Sequence, residues 1–113
     1  MRVYLPTTRS GLVRLRDDGS LPASAERYVA DGEGEEQEYA ALVAAAVDSA
    51  ALLGGPGRRV VVVADVSDPD GDVPLRDVVA LHADPDDRPA DADPEEDLGW
   101  YASQELDALL DGW

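Results

Sequence analysis

Between Glu35 and Val66 an amphipathic helical pattern, EEQEYAALVAAAVDSAALLGG, runs into a valine strand, RRVVVVADV. No other feature restricts the fold of this chain as strongly. Val60 to Val63 and Ala64 show no alternation of apolar and polar residues. That is the pattern of a strand covered on both faces, so it predicts the centre of a sheet, with Arg58 and Arg59 as its solvated entrance. Tyr39, Leu42, Val43, Ala46, Val47, Ala50 and Leu53 recur at i, i+3, i+4 and i+7, which predicts a helix with this stripe toward the core. Glu33, Glu35, Glu36 and Glu38 suit its positive end, and Gly54-Gly55-Pro56-Gly57 stops it. The back of the helix carries Ala41, Ala44, Ala45, Ala51 and Leu52, with Gln37, Asp48 and Ser49 for polar company, and so offers a second apolar surface.

Around this centre the other elements are shorter. Arg2 to Leu5 reads as a strand ended by Pro6, followed by a helix capped at Thr7 or Thr8, running through Leu15 and stopped by Gly19. Leu12 and Leu15 supply its inner face, while Gly11 weakens its first turn. Glu26 to Ala30 reads as a second strand and Val78 to His82 as a fourth. A last helix is expected from Pro94 to Leu110, with Glu95, Glu96 and Asp97 at its positive end. The acidic stretch DPDDRPADADPEED before it reads as a solvated loop, centred on residues 84–94. The expected fold is therefore α/β: one small domain over residues 1–113, in the order β-α-β-α-β-β-α, with a mixed sheet of about four strands. An α+β two-layer sandwich is the alternative.

Charge and composition exclude several functions. Nine basic residues, all arginine, stand against 25 acidic ones, a net charge of −16, which opposes direct contact with nucleic-acid phosphates or anionic lipid. With no cysteine there is no disulfide, thiolate catalysis or cysteine-held metal. Neither a signal segment nor an apolar run near membrane-spanning length is visible, so a cytoplasmic location is expected. There is no G-x-S-x-G elbow, phosphate loop or dinucleotide fingerprint, since GGPG follows a helix. His82 with Asp84, Asp86 and Asp87 (HADPDD) gives one imidazole and flexible carboxylates, a poor metal set, and Asp65, Asp68, Asp70 and Asp72 depart from the calcium-loop pattern at Val66. No metal and no cofactor are expected.

A few side chains stand out. On the wheel of the last helix Leu98, Tyr101, Ala102, Leu106, Leu109 and Trp113 share an arc, with Glu105 near its middle, so a carboxylate is expected toward the core. It then needs an arginine such as Arg2, Arg27 or Arg58, a phenol or backbone amides as partner, or a cleft to line. Trp100, beside Gln104 on the opposite face, is an anchor for a partner or a cover for the neighbouring loop. If the two long helices lie side by side, Glu36, Glu38, Tyr39, Tyr101 and Glu105 converge.

MRVYLPTT at the start, EEQEYAAL opening the long helix and LGWYASQEL near the end, with RRVVVVADV and VPLRDVVALHAD between, resemble an actinobacterial family of uncharacterised proteins. The resemblance covers nearly the whole chain in the same order and implies one intact domain. It brings no activity, and it implies that Pro22 to Glu33 is shorter here than in longer relatives.

Three functions follow as expectations. The first is a cytoplasmic protein-binding or regulatory module, with a protein partner or a second copy bound through Glu38, Tyr39, Trp100, Tyr101, Gln104 and Glu105. The second is a small-molecule site or weak acid/base enzyme centred on Glu105, with Tyr101, Tyr39 and Glu38. The third is an acidic nucleic-acid mimic that occupies a basic groove of a partner.

Overall fold

Val60–Asp65 forms the middle of the sheet, as its unbroken apolar run requires, and the whole architecture is arranged around it. The computed structural model describes residues 1–30 and 34–113. In chain order its elements are β1 (Arg2–Thr7), α1 (Arg9–Asp18), β2 (Ser20–Leu21), β3 (Tyr28–Val29), α2 (Glu35–Leu53), β4 (Val60–Asp65), β5 (Val73–Pro74), β6 (Val78–Ala83), β7 (Gly99–Tyr101) and α3 (Leu106–Asp111). Single 3-10 turns precede β6 and α3.

Five strands form one sheet in the order β3-β1-β4-β6-β7. Every pairing in it is antiparallel, where a mixed sheet of four strands was expected. β2 and β5 make a separate two-residue ladder, Ser20 to Pro74 and Leu21 to Val73. The chain is thus α+β in class, with helices on both faces of the sheet. Val3, Leu5, Val60, Val62, Ala64, Leu81 and Ala83 face α1 and α3, while Tyr4, Val61, Val63 and Ala80 face α2.

β1 continues through Pro6 to Thr7, beyond the expected stop. β3 pairs with Val3 and Tyr4, so among the described residues no strand pairs with the outer edge of β1 at Pro6, and a missing N–H is tolerated there. Of the expected strand at Glu26 to Ala30, only Tyr28–Val29 pairs. Gly11 has a packing reason: any Cβ there would collide with the Thr7 hydroxyl. At the end of α2, Gly54 adopts φ +66° and donates to the Ala50 carbonyl, the left-handed stop expected of glycine. Glu33, also expected at the start of α2, lies outside the described residues.

Two expectations about helices are corrected. α2 buries Ala41, Ala45, Ala46 and Ser49, so it is turned by roughly 100° from the expected stripe at 100° per residue. The cause is polar as well as steric. The fully buried Ser49 Oγ donates to the Thr7 carbonyl (2.7 Å) and accepts from the Val60 amide (2.8 Å), joining the helix to β1 and β4. Alanine at 41, 45 and 46 lets the helix approach the sheet closely, and Tyr39, Val43 and Val47 turn away from it, Tyr39 exposed and the two valines half-buried.

The second correction concerns Pro94 to Leu110. Only Leu106–Asp111 is α-helical, and Gly99–Tyr101 is instead the edge strand β7, paired Leu81 to Tyr101, His82 to Trp100 and Ala83 to Gly99. Aromatic strand preference and an available sheet edge outweigh the helical periodicity. Arg59, expected at a solvated entrance, is 1% exposed and grips this region. Its Nε and Nη2 bind the two carboxylate oxygens of buried Asp84 at 2.9 and 2.7 Å, and its Nη1 donates to the carbonyls of Pro94 and Glu96, both at 2.7 Å. The acidic loop is irregular but tethered, since Gly57 and Arg88 also exchange backbone hydrogen bonds across it.

Candidate functional site

The sheet face under α2 is only partly covered. α2 packs on β1, β3 and β4 and touches the β6 side at Ala80, so β7 and the outer half of β6 lie open on this side. A bulge adds to the opening. Val63 pairs with Ala80 and Ala64 with Val78, which leaves Val79 as an extra residue, 41% exposed, beside the cleft. Trp100 stands on β7 opposite His82 and is 62% exposed.

Between the start of α2 and this open half lies a cleft of about 450 Å³. Arg2, Tyr4, Val63, Ala80 and His82 line it on the sheet side, and Glu35, Glu38, Tyr39 and Leu42 line it on α2, with Trp100 and Val79 at its edge. Arg2 is held by Asp65 (Nη2 to Oδ2, 3.0 Å) and Glu38 (Nη1 to Oε1, 3.3 Å). These contacts raise the Arg2 pKa and hold the Asp65 carboxyl below the usual carboxylate range. Burial, with Glu38 adding to it, pushes the Tyr4 phenol up. Burial pushes His82 down, which favours its neutral imidazole. The Tyr39 hydroxyl donates to Asp97 (3.1 Å), a bond that raises its pKa.

A second opening, about 530 Å³, continues from Tyr39 along the outward face of α2. Ala40, Val43, Ala44 and Val47 line it, with Tyr28, Asp48 and Glu95 at its margins. The Tyr28 hydroxyl donates to Asp48, which raises the phenol pKa. The apolar part of this opening follows α2 from Tyr39 to Val47.

The structure divides the side chains that sequence singled out. Glu38, Tyr39 and Trp100 meet at the α2 cleft. Tyr101 and Glu105 lie across the sheet beside α3, lining a small recess of about 210 Å³ with Arg58 and Leu109. Gln104 lines a groove with Arg16 and Leu75. Glu105 does not face the core: it is exposed, and its Oε2 accepts from the Ala102 amide at 2.7 Å, as a glutamate at the start of a helix does. Arg58 instead stacks over Trp113, 5.0 Å from the ring centroid. His82 and Asp84 part company, His82 toward the α2 cleft and Asp84 to Arg59.

Sequence reading missed Arg2, Tyr4, Val79 and His82 as neighbours of Glu38 and Trp100. The alternation of β1 and the bulge in β6 bring them together, and a bulge leaves no mark in a run such as VVALH. The outward stripe Tyr39, Val43 and Val47 was visible as a stripe, but the signal for its direction was Ser49, the one polar residue that the sheet requires.

These features define a small α+β domain with an antiparallel sheet, helices on both faces, and an acidic-rimmed apolar surface on one of them. Residues 1–110 match the model of a family of unknown function, DUF6912, and the chain belongs to that family. Comparisons with curated proteins and with solved structures found no match. Among the described residues no helix is long and apolar enough to cross a membrane.

Proposed function

We propose that this chain is a protein-binding module whose docking surface is the outward face of α2 together with the cleft that ends at Trp100. One observation carries the reading: α2 spends its alanine side on the sheet and turns its larger apolar residues, Tyr39, Val43 and Val47, outward. Ser49 and the alanines explain why that side meets the sheet, but covering the sheet does not call for apolar residues at 39, 43 and 47 on the other side. Trp100 and Val79 extend the same surface across the open half of the sheet, where an indole serves as an anchor for a partner. Acid/base chemistry is less well supported, because Glu38 is engaged by Arg2 and Glu105 caps a helix on the other side of the sheet.

The reading places the module in the cytoplasm, with a protein partner and no direct contact with nucleic acid. Native mass spectrometry of the chain isolated gently from its host tests it, alongside Val47→Asp and Trp100→Ala. A protein mass that accompanies the natural chain and is lost from both variants, with their melting transitions retained, is the expected result. The same mass retained by both variants refutes this surface.

A further inference from the structure

We infer that the segment docked on this surface is a basic amphipathic one, a stretch of another protein with apolar residues along one side and arginine or lysine on its flanks; this rests on the docking surface proposed above. Charge complementarity selects it. α2 carries Glu35, Glu36, Glu38 and Asp48 and no basic residue. Alongside it runs the 84–97 loop, whose one arginine, Arg88, is engaged by Glu96 and the Asp93 carbonyl. Among the described residues, no arginine lies within 4.0 Å of Glu35, Glu36 or Glu95. The apolar groove therefore has a rim of carboxylates that the chain itself does not neutralise.

A second copy fits this rim badly. It brings another −16 and would set one acidic-rimmed groove against another, a like-charge juxtaposition that opposes association. A basic segment answers both parts of the surface. Its apolar residues enter the groove between Val43 and Val47, where Ala40 and Ala44 allow a close approach, and its cations meet the carboxylate rim. At the Trp100 end a guanidinium or ammonium finds an exposed indole face, and Glu35, which no arginine of the described residues pairs, lines the same cleft. The field of the chain as a whole also speeds such an encounter at low salt.

Nitrogen-15 NMR titration of the whole chain with three synthetic peptides tests this. One has leucines at i, i+3, i+4 and i+7 with lysines elsewhere; one has the same leucines with glutamates; one has the lysine composition in scrambled order. The ordered basic peptide is expected to shift amides of α2 and β7, to bind at least about tenfold more tightly than either control, and to weaken about tenfold or more between about 50 and 300 mM salt. Glu35→Gln/Glu36→Gln/Glu95→Gln weakens that peptide while leaving the fold intact. Equal binding of the ordered basic and acidic peptides at α2 overturns the basic partner and leaves the docking surface standing. Equal binding of the scrambled peptide overturns the amphipathic partner. Concentration-dependent shifts of α2 without peptide, with a dimer mass, give the surface to a second copy and overturn the inference. Shifts of the ordered basic peptide confined to residues away from α2 and β7 overturn the docking surface itself.

Discussion

Replacing Arg59 by methionine removes the cation that grips the buried carboxylate of Asp84. Asp84 is 2% exposed and receives two charge-assisted bonds from the Arg59 guanidinium, at 2.9 and 2.7 Å. After Arg59→Met it keeps the Arg59 backbone amide at 2.8 Å and has Arg88 no nearer than 4.0 Å. Breaking a buried pair in this way costs about 3–5 kcal/mol, because the remaining charge stays desolvated. The carbonyls of Pro94 and Glu96 are only part-buried and can turn to water, so they add little. A 113-residue chain has roughly 6–17 kcal/mol in total at ~0.05–0.15 per residue, so the loss is a large fraction of it. Urea denaturation followed by circular dichroism measures it, as a fall of about 2 M in the midpoint for a slope near 2 kcal/mol/M. Adding Asp84→Asn removes the stranded charge but keeps an acceptor for the Arg59 amide, so the double variant is expected to recover part of the loss. A loss below about 1 kcal/mol in Arg59→Met, or a double variant less stable than the sum of the two singles, refutes the buried-pair account.

Ser49→Ala leaves the buried Val60 amide without its acceptor and is expected to cost about 1–3 kcal/mol in the same assay; a change under about 0.5 kcal/mol shows that the helix does not depend on that contact. Burial holds His82 below its ordinary 6.5, so below that pH the unfolded chain takes up this proton more readily than the folded one. Stability is therefore expected to fall with acidification below about pH 6.5, and His82→Asn should flatten the part of the slope between about pH 7 and 5.5, before carboxylates such as Asp65 contribute. Parallel slopes in the two chains exclude His82 as the source.

The centre of the fold was legible because it obeys one local rule at a time. The valine run is covered on both faces, glycine stops both long helices, and β6 follows the turn-rich segment. The misreadings occur where distant residues decide. Periodicity at 94–110 describes a good helix, yet the sheet offered an edge at β6 and Arg59 took the carbonyls of Pro94 and Glu96, so Trp100 and Tyr101 extended the sheet. In α2 two apolar arcs competed, and hydrophobicity favoured the larger residues. Buried hydrogen bonding to Ser49 decided for the smaller ones, and that preference depends on Thr7 and Val60, far away in the chain. Of the site, Glu38, Tyr39 and Trp100 were legible as single residues, but their grouping depends on a sheet order that no local pattern encodes.

The position of β1 sets a clock for synthesis. Of the strands in this sheet it is made first, yet it lies between β3 and β4, and its bond from Arg2 to Asp65 spans 63 residues. At ~5–20 residues per second the ribosome needs roughly 3–13 s to supply that partner. Throughout that interval the Val3-Tyr4-Leu5 edge has no β4 to pair with, and once β4 emerges its own second edge waits for β6. A nascent chain stalled between Asp65 and Ala83 would therefore present a valine strand with one edge unpaired to its neighbours, an arrangement prone to pairing between chains.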